Sequence, residues 1–170
     1  MIKTFAIAIV ILGFSAISFA QVTATATATG NIVAPIAILK TGDLNFGNVA
    51  TSVAAGSVIL DPAGARTKTG GVTLPAVTGT VTAAHFDITG TANYTYSIKL
   101  PVSTVVTNGG NSMTVNDFTS TPTVATGGNL GLGGAQTIDV GATLVVGANQ
   151  APGNYTTITA DDFPVTVNYN

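Results

Sequence analysis

From Val22 onward, apolar and hydroxyl-bearing residues exchange places at almost every step. Residues 22–29 read Val-Thr-Ala-Thr-Ala-Thr-Ala-Thr, and residues 94–100 and 163–169 carry the same period of two. That period puts alternate side chains on opposite faces of a strand, and the 3.6-residue spacing of an amphipathic helix is nearly missing. Shorter stretches at 32–39, 57–60, 71–74, 86–89, 104–107, 113–118, 136–140 and 143–146 also read as strands. Turn signals break them at short intervals: Thr41-Gly42-Asp43, Asp61-Pro62-Ala63-Gly64, Asn108-Gly109-Gly110-Asn111, Gly127-Gly128-Asn129 and Pro152-Gly153-Asn154. Many short strands with frequent turns predict an all-β chain, a two-sheet sandwich or a barrel.

Composition agrees. Residues 21–170 hold 28 Thr, with many Val and Ile, and β-branched side chains favour the pleated surface. Glu is absent, and the other good helix formers are scarce. An outer-membrane barrel also alternates, but it carries aromatic girdles and strands of about ten residues. Here aromatics are 6%, the strands are short, and the chain ends on a polar Asn170. The sandwich is therefore the expected architecture.

The first 20 residues read as a secretory leader. Lys3 supplies the positive end, residues 5–17 form an apolar run, and Ser18-Phe19-Ala20 places small residues where a signal peptidase reads. The run is shorter than the roughly 20 residues of a membrane span, and no charge follows it to stop transfer. The expected division is a leader over 1–20 and one β-sandwich domain over 21–170. The mature chain is then secreted, to periplasm, cell surface or medium, with no transmembrane helix.

Charge and chemistry narrow the function. Charged residues make up 7% of the chain, against about 25% in an ordinary domain. There is no Cys, which removes disulfides, thiol chemistry and Cys-based metal sites. Four bases after residue 20 leave no basic patch for nucleic acid. The sole histidine, His85, shares a strand face with Asp87 opposite Phe86. A solvated polar face accounts for that pair more simply than a triad, because no G-x-S-x-G elbow occurs in the mature chain. Asp161 and Asp162 are adjacent and would diverge on a strand, unlike a glycosidase pair. Asp43 to Asn48 starts like a calcium loop, but Ala54 falls where the bidentate acid belongs. The glycine-rich run 127–134 lacks the Lys-Ser/Thr of a phosphate loop and reads as a flexible hairpin loop. No catalytic, cofactor-binding or metal-binding residue is expected, and the chain is not read as an enzyme.

Leu44-Asn45-Phe46-Gly47-Asn48-Val49, Asp61-Pro62-Ala63-Gly64-Ala65-Arg66 and Ile88-Thr89-Gly90-Thr91-Ala92-Asn93-Tyr94 resemble a family of secreted bacterial β-domains known only as a domain of unknown function. Phe46-Gly47, Gly153-Asn154-Tyr155 and the alternating 163–169 are more distantly similar to spore coat protein U and the archaic chaperone–usher pilins. This chain departs from those proteins in lacking a cysteine pair and in placing residues 156–162 between the Gly-x-Tyr and the last strand. The resemblance implies an immunoglobulin-like sandwich and a fimbrial- or coat-like structural role. It implies assembly with further copies by strand addition, export with a secretion chaperone, and no catalytic residues. Low charge fits this, because little self-repulsion keeps copies apart. The competing class is a monomeric secreted binding module, for instance for glycan. Residues 22–29 are expected to form the sandwich's first strand within one chain, with donation to another chain as the alternative.

Overall fold

The computed structural model describes residues 21–158 and 162–170, and these form strands and no helix. No helix among them is long and apolar enough to cross a membrane. Ten strands follow in order: β1 (Ala37–Gly42), β2 (Gly56–Leu60), β3 (Arg66–Gly70), β4 (Ala84–Thr89), β5 (Thr95–Lys99), β6 (Ser103–Asn108), β7 (Asn111–Thr121), β8 (Gly128–Asn129), β9 (Ala135–Val146) and β10 (Thr166–Tyr169). All of them lie in one compact unit, Val33–Asn170. The described residues of the other unit, 21–32, carry no strand and are exposed.

The twelve-residue β9 organises the larger, seven-stranded sheet. Along one side its first half pairs with β4 and its second half with β2, while β7 runs along the other side. β1 continues the sheet beyond β4, β3 beyond β2, and β6 beyond β7, all antiparallel. The changeover from β4 to β2 falls at Gly141, where a Cβ would lie 2.2 Å from Leu60 O. Only glycine allows so close an approach. The second sheet is small, in the order β10-β5-β8.

The core has two lobes. In one, Phe86, Ile88, Ile138 and Val140 of the large sheet meet Tyr96, Ile98, Leu130 and Val167 from the side of the small one. In the other, the large sheet supplies Val58, Val115, Ala142, Leu144 and Val146, covered by the irregular segments that carry Leu44, Phe46, Val49, Val72 and Leu74. Burying each such aliphatic side chain contributes about 1.5–3 kcal/mol. Two sheets enclosing an apolar interior answer to the expected sandwich and not to a closed barrel.

Four expectations change. Residues 22–29 form no strand and are exposed, so the first strand of the fold is β1. Alternation alone does not order a strand that has no partner, and three alanines bury little. The stretches 136–140 and 143–146 are a single strand through Gly141. The strand placed at 71–74 lies earlier, at β3, whose Arg66 and Lys68 disguise it; only a bridge from Thr73 to Ala50 remains at the expected position. The glycine-rich run contributes β8 and a fully buried Leu130, so it is more than a flexible loop. The leader over 1–20 lies outside the described residues.

Candidate functional site

The small sheet covers only part of the large one. Past its end, a groove of about 1140 Å³ opens over the inner face of the large sheet. That volume is at or above the upper end of ordinary ligand pockets. Val106, Met113, Val115, Leu144 and Val146 form its floor, with Phe86 and Phe163 toward one end. One wall is the chain leaving β1, residues 42–51, and the other is made by residues 151–157 together with Asp162 and Phe163. Most of the floor is already shielded: Leu144 is 6% exposed and Val146 1%, while Val106 and Met113 are half-buried. The open space therefore lies chiefly between the walls, above an apolar base.

The first wall is held by its outer edge. Asn45 and Thr82 exchange backbone hydrogen bonds at 2.8 and 3.0 Å, and Ala50 and Thr73 do so at 2.9 and 2.8 Å. Between these bridges the chain turns at Gly47, where φ is +67° and a Cβ would lie 2.3 Å from Thr78 O. The Asn45 side chain accepts from Gly47 N at 2.8 Å, an Asx turn. Arg66, on the core side of β3, donates to Phe46 O and, at 3.0 Å, to Asn48 O. The Asn-Phe-Gly and Asp-Pro-x-Gly segments singled out in the sequence are thus one device, clamped through Arg66.

The second wall rests on the free edge of β6, where Thr107 and Thr156 exchange backbone bonds at 2.8 and 3.1 Å. Its Gly153-Asn154-Tyr155 lines the groove, as does Phe46-Gly47 on the other wall. At the end near Phe86, Lys40 pairs with Asp43 at 2.5 Å. The hydrogen bond and charge of Asp43 hold the Lys40 ammonium above its ordinary value, with a smaller contribution from Asp162 on the opposite wall.

His85 and Asp87 do share the outer face of β4, as alternation predicts. The partner of His85 is Asp139 on the neighbouring β9, with Nδ1 2.6 Å from the carboxylate, whereas Asp87 accepts from Thr137 at 2.8 Å. A triad requires a nucleophile on the other imidazole nitrogen. Among the described residues no hydroxyl is bonded there. No cluster of three or more His, Asp or Glu suited to a metal ion occurs among the described residues. Asp161 lies outside them, and Asp162 accepts from Thr157 ahead of β10. Sequence reasoning named Phe46-Gly47 and Gly153-Asn154-Tyr155 but gave no sign that they face one groove, since 106 positions separate them.

A family model described as "Domain of unknown function (DUF4402)" matches residues 36–169, and the chain belongs to that family. The match begins just before β1 and ends on β10, so it covers the sandwich and omits residues 21–35. No curated protein and no solved structure gave a match.

Proposed function

We propose that this DUF4402 chain is an exported, non-catalytic structural subunit of the bacterial surface. In this reading copies join when residues 22–29 of one chain enter the groove of the next. The fold is then an immunoglobulin-like sandwich short of one strand, as the proposed likeness to fimbrial and coat proteins implies. The groove carries the reading: an apolar floor lies between two walls, in a protein whose N-terminal strand pattern, residues 22–29, is exposed and forms no strand. The paired segments behind the likeness to pilins, Phe46-Gly47 and Gly153-Asn154-Tyr155, both stand on that groove.

Chain length favours a second copy as the source of the strand. Ala34 is anchored by hydrogen bonds of its N to Thr91 Oγ1 and of its O to Tyr169 Oη. From there to Lys40 is six residues, about 20 Å, and beyond β1 the wall turns at Gly47. Val22 is twelve residues back from Ala34, about 40 Å at full stretch. A chain's own segment would have to double back along residues 34–40 to reach the groove. Another copy's segment has no such limit.

The competing glycan-binding reading asks for exposed aromatic platforms. Among the described aromatic residues the most exposed is Tyr94 at 39%, which packs edge-on against Tyr169. Electron microscopy and gel filtration test the proposal. The chain starting at Gln21 should form fibres, and deletion of residues 21–30 should give folded monomers. A wild-type chain that stays monomeric, or a deletion that polymerises unchanged, would sink it.

A further inference from the structure

The main path of the large sheet ends in β1 on one side and β3 on the other. A third edge, β6, is bridged by Thr156. β3 has no such bridge, and the ladder shows which of its backbone groups face outward. Asp61 N donates to Ala65 O at 3.0 Å and Gly71 N to Ala55 O at 2.9 Å, so these are hydrogen-bonded pairs of the β2–β3 ladder. In an antiparallel ladder such pairs recur at every second residue. Thr67 and Thr69 therefore bond to Ile59 and Ser57, and the N–H and C=O groups of Arg66, Lys68 and Gly70 point away from the sheet. Among the described residues none bonds to those six groups.

Nothing in the backbone protects this edge. The β2–β3 register runs without a bulge, β3 contains no proline, and its outward Thr67 and Thr69 are exposed, β-branched and neutral. An edge of that kind recruits other strands. What stands against recruitment is charge. Residues 21–170 hold four bases, and Arg66 and Lys68 bring two of them to this five-residue strand. Both share the inward face with their cross-strand partners, the buried Leu60 and Val58. There Lys68 Nζ donates to Val72 O at 2.9 Å. Among the described residues neither base meets a carboxylate, whereas Lys40 on β1 is paired with Asp43.

We infer that the β3 edge is a latent docking site for the β3 edge of a second copy, kept from pairing by Lys68. Two such edges are self-complementary about a twofold axis. The antiparallel register that uses all three outward positions pairs Arg66 with the second copy's Gly70 and sets the two copies of Lys68 directly opposite each other. A slide of two residues keeps only two pairs, and in one direction it sets Arg66 against Lys68. Like charges directly opposite destabilise a strand pair. A strand laid beside Lys68 would also take water from an ammonium that has no counter-charge. Inward-pointing charge on an edge strand is a known means of keeping sheets apart. In a chain with so few charges, its position at this edge selects which contacts between copies form.

The test uses the full chain from Gln21 and reads hydrogen exchange over residues 66–70 by mass spectrometry, together with sedimentation. In the unsubstituted chain the amides of residues 66, 68 and 70 should exchange fast. Lys68→Met keeps the length of the side chain and removes its charge. It should protect those amides and lower the concentration at which dimers form by about fivefold, the equivalent of one like-charge pair on a sheet. Lys68→Gln, neutral and still able to donate to Val72 O, should do the same, and it decides the matter if loss of that bond unfolds Lys68→Met. Lys68→Arg should behave as the unsubstituted chain does. Lys68→Pro is neutral but lacks the outward N–H, and proline is tolerated on the free edge of a strand, so it should not dimerise. Amides already protected in the unsubstituted chain would overturn the inference. So would fast amides in both neutral variants, or association of Lys68→Pro equal to that of Lys68→Met. Exchange over 66–70 reads this edge whether or not fibres grow through residues 22–29, so the two proposals fail separately.

Discussion

Replacing Gly47 by Ala tests whether the first wall of the groove is held as tightly as the hydrogen bonds imply. Two costs add at this position. The backbone sits at φ +67°, which an L-residue adopts at about 1–2 kcal/mol. The new methyl would also stand 2.3 Å from Thr78 O and 2.7 Å from Val81 Cγ2, so the neighbouring backbone must retreat. That retreat loosens the bond from Asn48 N to Thr78 O, 2.7 Å, and the one from Asn48 Nδ2 to Val77 O, 3.1 Å. Each is worth about 1 kcal/mol. The expected total is about 3–4 kcal/mol. Gly109 supplies the control. It turns the β6–β7 hairpin at φ +59° with nothing within 4 Å of a Cβ, so Gly109→Ala meets only the conformational cost. Urea unfolding of both variants, with equal m-values, should show Gly47→Ala weaker by about 2 kcal/mol. In thermal melts that gap corresponds to roughly 4–8 °C for a chain of this size. Equal midpoints for the two variants would show that the contact with residues 77–78 yields freely, and the wall would then be a loose loop.

Leu130→Ala removes a fully buried side chain that joins both sheets in one lobe and should cost about 2–5 kcal/mol in the same unfolding assay. His85→Ala breaks a pair whose side chains are 44% and 35% exposed, so stability should fall by no more than about 1 kcal/mol. Its fibres, viewed by electron microscopy, should match the wild type. Intact-mass spectrometry of exported protein should give a chain that begins at Gln21; a mature form that retains Met1 would remove the argument for export.

Strands that alternate cleanly and sit centrally in their sheets were legible from the sequence. Tyr96 and Ile98 in β5, and Phe86 and Ile88 in β4, are buried as a period of two requires. Where the period breaks, the pattern misled. In β7 both Val115 and Ser120 face inward although their positions differ in parity, because the register shifts between Asn116 and Thr119 around an Asp117 at φ +48°. β3 was hidden because its inward residues are Arg66 and Lys68, which spend their donors on the carbonyls of Phe46, Asn48 and Val72. Buried backbone acceptors at a sheet edge can take up such charges, and hydrophobic pattern does not register that. The N-terminal stretch failed in the opposite direction. Its alternation is perfect, yet a strand needs a partner as well as a period, and residues 22–29 are exposed and form no strand. The candidate site was legible only as separate segments, since residues 46–47 and 153–155 meet through tertiary structure alone.

The small side chains of the N-terminal stretch, which weigh against a donor strand on buried area alone, become intelligible beside the groove. Three of its five floor residues are buried, with Val115 2%, Leu144 6% and Val146 1% exposed, and only Val106 and Met113 are half-buried, so little room waits for bulky residues. A strand entering between the walls gains chiefly by main-chain hydrogen bonds, the term that gives strand addition its affinity. Alanine lets its backbone approach the walls closely. On that reasoning Ala26→Leu should hinder assembly. Area alone would credit the larger side chain with about 1.5–3 kcal/mol. Forcing it onto a largely buried base costs about 1–3 kcal/mol in displaced neighbours and also holds the strand away from both walls. Light scattering of assembling protein should show slower growth for Ala26→Leu than for wild type, with the monomer's urea midpoint unchanged because residue 26 lies outside the fold. Faster growth, or fibres more resistant to urea, would mean that the floor yields to large side chains and that side-chain burial governs the contact.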